Sequence, residues 1–125
     1  GMKGARFHGD LEMPKGALVL SKGMDPEQDS YSGFQAFSDR GRDLESTLHE
    51  LDVDELFICG LATDYCVRAT ALDGLRRGLD VRVLRDAIRG VDLKSGDSEM
   101  AIKEMRLNGV RFSESRGLAR LLRKD

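Results

Sequence analysis

The chain has 125 residues, 40% of them hydrophobic and 34% charged, with a formal net charge of −2. That is one domain's length, with enough apolar surface for a core and too much for a disordered segment. Charges of both signs are mixed along it, so no basic stripe points to nucleic acid, and no apolar run is long enough for a membrane span.

Gly1 ahead of Met2 reads as a cleavage scar, no signal peptide is evident, and the composition reads as cytoplasmic. Gly16-Ala17-Leu18-Val19-Leu20-Ser21-Lys22-Gly23 is an apolar run between glycines and predicts a buried strand. Residues 24–41, rich in Asp, Ser and Gly, predict an irregular connection. Leu44, Leu48 and Leu51 recur at helical spacing and predict a helix over 42–51. Leu56-Phe57-Ile58-Cys59 predicts a second buried strand, with Cys59 buried and inert inside it. A helix follows from Thr63 or Asp64 to Arg77, with Val67, Ala71, Leu72 and Leu75 on its apolar side and Gly78 as its stop. Val81–Leu84 predicts a third strand. Ser95 or Asp97 can cap a helix carrying Met100, Ala101, Ile102 and Met105. Val110–Phe112 predicts a fourth strand, and Leu118, Leu121 and Leu122 a last short helix. Strand and helix in alternation mean right-handed crossovers, hence an α/β fold: a parallel sheet with helices on both faces.

In such a sheet, chemistry collects at the carboxyl ends of strands. Lys22, the Gly60–Cys66 segment and Asp86 stand at three such ends. Cys66 falls in the first turn of its helix, where unpaired N–H groups and the helix dipole favour a thiolate. A lysine ammonium in the same pocket adds to that, and the N–H groups of Ala62 and Cys66 can face a developing oxyanion. Together these parts suit acyl transfer. The residues alone also allow Cys66 to be a small core side chain and Lys22 a solvated strand end. Cys59 and Cys66 match neither a CxxC redox pair nor a zinc spacing, and both read as free thiols. His8 and His49 each stand without a second ligand, so no metal site is assigned. The turn at Gly60 is not a GxGxxG, which disfavours a dinucleotide.

The segment FICGLATDYCVRATALDGLRRGLDVRVLRDAIRGVD resembles the C-terminal half of nicotinamidase/pyrazinamidase proteins, in the isochorismatase-like cysteine hydrolase family. ALVLSKGMDPEQDSYSGF and GARFHGDLEMP also resemble that family, so the likeness covers essentially the whole chain. It implies an isochorismatase-like, Rossmann-like three-layer α/β fold in which the first strands are missing. It implies a small aromatic carboxamide as substrate, hydrolysed through a cysteine thioester. Cys66 matches the nucleophile and Lys22 the triad lysine. Leu61 and Ala62 match a pair joined by a cis peptide, and the N–H groups of Ala62 and Cys66 match the oxyanion hole. Tyr31, Leu61 and Thr63 match positions that border the substrate.

The family motif that ends in a catalytic Asp, and the Asp/His metal site after it, precede the matched region. Nothing before Ala17 reads as such a strand, and Asp10 sits in a loop-like stretch. Two thirds of the triad and no cofactor are therefore expected in this chain, with hydrolysis slowed by orders of magnitude. A non-catalytic, oligomerising remnant and a redox-responsive cysteine protein are the alternative readings. A homo-oligomer, most simply a dimer, is expected, because absent strands leave sheet edges bare.

Overall fold

The computed structural model describes residues 6–122. Helix α1 (Leu44–Glu50) begins where Asp43 accepts a hydrogen bond from the Ser46 backbone N–H at 2.8 Å. That cap satisfies one of the orphan donors of the first turn. Strand β1 (Glu55–Leu61) leads through a π-helical turn (Thr63–Val67) into α2 (Arg68–Arg76). Gly78, at φ +80°, takes the left-handed conformation that releases the chain toward β2 (Asp80–Arg89). Helix α3 (Asp97–Asn108), strand β3 (Arg111–Ser113) and helix α4 (Ser115–Leu122) follow.

The three strands lie in the order β1-β2-β3 and both pairings are parallel. β1 and β2 run in step from Glu55↔Asp80 to Ile58↔Val83, and the register then jumps to Gly60↔Ile88. The excess residues of β2 form a bulge, and Asp86 stands out of it. Its carboxylate accepts hydrogen bonds from the Ser115 N–H and hydroxyl, which hold its carboxyl below the usual carboxylate range. Asp86 therefore sits within a longer strand than Val81–Leu84 and fastens the start of α4; it does not end a strand beside the reactive groups.

The core lies between the sheet and helices α2 and α3. Val67, Ala71, Val81, Val83, Ile88, Ala101, Ile102, Met105 and Val110 form one buried cluster. Gly74 lets α2 close on β2: a Cβ there would stand 2.9 Å from a Val81 methyl. Met100, expected on this face of α3, is 70% exposed; the buried stripe is Ala101, Ile102 and Met105. Neither Ser95 nor Asp97 caps α3. Gly96, at φ +92°, holds that position, and the Asp97 carboxylate accepts from the Lys94 N–H instead.

Two expectations are overturned. The 17–20 run is no strand, and Leu18 and Val19 are exposed. No described strand lies beside it, so it has no ladder to join; only Ser21 pairs, in an isolated antiparallel bridge to Phe37. Cys59 is exposed rather than buried. Along β1 the side chains alternate: Leu56 approaches Gly74 and Ile58 packs on the core, which sends Cys59 and Leu61 to the other face.

Candidate active site

Two segments far apart in the chain meet at Cys66. The first is pinned by the reciprocal Ser21–Phe37 backbone bonds of 2.8 and 2.9 Å. It returns through a one-turn 3-10 helix (Gly33–Gln35) that Ser32 caps, with the Gln35 side chain accepting from the Ser32 N–H. The Gly33 N–H donates to Thr70 Oγ1 of α2 at 2.8 Å, and Phe34 is buried. These contacts dock the 30–36 stretch against the first turns of α2. Lys22 then points at Cys66: its Nζ donates to the Ser30 carbonyl at 2.6 Å and lies 3.3 Å from Cys66 Sγ.

The second segment is the π-helical turn. The Val67 N–H donates to the Ala62 carbonyl at 3.0 Å, and the Arg68 N–H donates to the Thr63 carbonyl, each five residues back. Such a widened turn is frequent where a helix presents a functional group. The Leu61–Ala62 peptide that leads into it is cis. Ala62 is the residue before the turn, and its carbonyl accepts from the Tyr65 and Val67 N–H groups on either side of Cys66. Cys66 is half-buried.

Around the pair, the Tyr31 ring lies 5.4 Å from the Tyr65 ring at a 44° tilt. Tyr31 and Leu61 are open to solvent, whereas Thr63 is buried. Cavities border the two sides separately. One of about 360 Å³ is lined by Lys22, Ser30 and Gln35, and one of about 260 Å³ by Thr63, Arg89 and Gly90. Sequence reasoning missed Asp64, which is buried two residues before Cys66 and accepts from the Val91 and Asp92 N–H groups at 2.9 Å each. Burial pushes its carboxyl up, but those bonds, helped by the Arg68 charge, outweigh that and hold it below the ordinary range. No local signal marked it, because its partners lie 27 and 28 residues on.

This geometry stands beside a clear relationship to known proteins. The Isochorismatase domain matches residues 1–116. The chain belongs to the isochorismatase domain family. It is 43% identical over 112 residues to the nicotinamidase of Escherichia coli K12, covering 86% of this chain and 51% of that protein. It is 40% identical over 111 residues to the nicotinamidase/pyrazinamidase of Mycobacterium tuberculosis, covering 88% and 57%. Among solved structures, a nicotinamidase/pyrazinamidase of Acinetobacter baumanii superposes with a TM-score of 0.82 at 36% identity, over 94% of this chain and 57% of that one. The pyrazinamidase of Pyrococcus horikoshii, in complex with zinc, gives 0.78 at 39% identity, over 90% and 58%. The chain thus spans about half the length of the curated relatives it matches.

The zinc of that last structure does not fit the residues described here. Among them no three His, Cys, Asp or Glu side chains gather to hold a metal. His8 is exposed and its Nδ1 accepts from the nearby Asp10 N–H, and His49 is exposed on α1. Among the described residues no helix is long and apolar enough to cross a membrane.

Proposed function

We propose that this isochorismatase domain carries the cysteine–lysine half of an amidohydrolase centre that acts on a small aromatic carboxamide such as nicotinamide. One observation carries the reading: Lys22 Nζ stands 3.3 Å from Cys66 Sγ although 44 residues separate them. A half-buried lysine ammonium at hydrogen-bond distance from one sulfur can balance negative charge that builds on it.

The steps follow from that pairing. The Cys66 thiolate attacks the carboxamide carbon and forms a C–S bond, and the carbonyl electrons move onto oxygen. The Ala62 and Cys66 N–H groups face that oxyanion. Collapse re-forms the carbonyl, breaks the C–N bond and expels ammonia, which takes up the proton first lost by the thiol. A thioester remains. Water then adds to its carbonyl, the C–S bond breaks, and the carboxylic acid and the thiol are restored. The Lys22 ammonium balances the sulfur anion. Tyr31 and Leu61 offer open apolar surface for a planar ring, with the Thr63 backbone at the edge of the site. The acid–base Asp that the family resemblance calls for belongs to an earlier strand than any in residues 6–122.

Ammonia release from nicotinamide by the protein that carries this segment tests the reading. Cys66→Ala and Lys22→Met are expected to lower it by ~10³-fold or more, the scale of a lost triad member. Turnover unchanged by Cys66→Ala would overturn it.

A further inference from the structure

The proposed chemistry leaves unused a buried carboxylate near Cys66, that of Asp64. Asp64 sits in the π-helical turn, two residues before the thiol, and is 5% exposed. Both of its oxygens are engaged: Oδ1 by the Val91 N–H and Oδ2 by the Asp92 N–H, each at 2.9 Å. Those donors belong to the loop between β2 and α3.

The loop is fixed in turn from its other side. Asp92 takes a left-handed backbone, φ 53°, and its own carboxylate accepts from the Ser98 N–H at 2.8 Å and the Ser98 hydroxyl at 2.9 Å. Ser98 lies in the first turn of α3. The space is closed as well: a Cβ on Gly90 would overlap Ser98 Oγ and stand 3.3 Å from Asp64 Oδ1. A continuous path of hydrogen bonds therefore runs from the first turn of α3, through Asp92 and the loop backbone, to the turn that carries Cys66.

We infer that Asp64 is a positioning residue for Cys66, its carboxylate clamping the nucleophile's π-helical turn to the loop after β2 through two backbone hydrogen bonds. The physical argument is one of matching. Two parallel N–H donors need two acceptors, and an ionised carboxylate supplies both, each bond to the charge being roughly twice as strong as a neutral one. The π-helical turn departs from the regular helical ladder, and the two bonds to Asp64 tie it to a second segment of the chain. A nucleophile misplaced by a fraction of an ångström loses much of its rate. The inference rests on the reading of Cys66 as the nucleophile, but its test does not require turnover.

The test is Asp64→Asn, which keeps shape and removes one acceptor, so that an amide N–H₂ faces a backbone N–H. Three readouts are taken on the folded protein: alkylation rates of Cys66 and Cys59 by peptide mapping, amide hydrogen exchange at Val91 and Asp92, and kcat and KM where turnover is present. Expected are an about tenfold or greater fall in the Cys66 rate, a Cys59 rate within about twofold of wild type, faster exchange at both amides, and a fall in kcat with little change in KM. Loss of amide protection with an unchanged Cys66 rate would overturn the inference. Equal changes at both cysteines would mean that the fold, not the clamp, had failed, and would also count against it. Should Asp64→Asn not fold, Asp92→Gly decides, since it keeps the left-handed backbone and the N–H that Asp64 accepts from but removes both bonds to Ser98: a several-fold selective slowing of Cys66 supports the clamp and a wild-type ratio overturns it. Absence of ammonia release from the wild-type protein would sink the proposed function while leaving the cysteine ratio to judge Asp64 on its own.

Discussion

At Cys66 the sequence sets a thiol just after an apolar strand, and the fold sets the Lys22 Nζ 3.3 Å from it. In the order of residues Lys22 stands out because it follows another apolar run and matches the lysine of the family that the chain resembles. What the sequence could not supply was the 2.6 Å bond to the Ser30 carbonyl that aims the lysine at the sulfur. Asp64 was equally hidden, because a carboxylate paired with backbone N–H groups leaves no side-chain pattern to read. Its depressed acidity gives a prediction with a definite sign. The folded state favours the charged form, so the stability it contributes is complete above the unfolded value near 3.8 and is lost as the pH falls through the lower folded value. Asp64→Asn is therefore expected to cost about 2–3 kcal/mol at neutral pH, the scale of bonds to a buried charge, with the gap to wild type narrowing below about pH 4. Urea midpoints at pH 7 and pH 3 check this, and a gap independent of pH would contradict it.

Elements were legible where periodicity and partners agreed. The Leu44/Leu48 spacing, the stop at Gly78 and the Ala101/Met105 stripe all match helices that pack on something. They misled where an apolar run had no partner. Leu18-Val19-Leu20 has the letters of a buried strand but no neighbouring ladder, and Cys59 sits on the uncovered face of β1. An apolar run does not itself say which faces will be covered. Packing between elements also reverses a rule of local propensity. Gly74 lies inside α2, where alanine would normally gain about 1 kcal/mol. Here its Cβ would press to 2.9 Å from Val81. Gly74→Ala is expected to destabilise by about 1–3 kcal/mol, seen as a lower urea midpoint with an unchanged slope. A stabilised variant would show that α2 can move off β2 freely.

For the whole molecule, the α/β alternation in the sequence was enough to read a parallel sheet, and the β1-β2-β3 order with both pairings parallel agrees with it. The bulge that lengthens β2 to Arg89 was not readable, since it depends on a register jump between two strands. Among the described residues β1 pairs on one side only, and Leu18, Val19, Met24 and Phe37 are exposed. An uncovered edge and, separately, exposed apolar surface each favour association with another chain. The 125-residue chain by itself is therefore expected to associate at micromolar concentration, with light scattering giving the mass of two or more chains; a well-dispersed monomer would contradict this. The proposed centre depends on the contact that this architecture makes between Lys22 and Cys66. Exposure and activation make opposite forecasts here, because Cys59 is exposed and Cys66 half-buried. The most direct test is alkylation with iodoacetamide at neutral pH, followed by peptide mapping, in the wild-type protein and in Lys22→Met. Cys66 is expected to react about tenfold or more faster than Cys59, and Lys22→Met to abolish most of that advantage. Faster labelling of Cys59, or a Cys66 rate indifferent to Lys22, would contradict this.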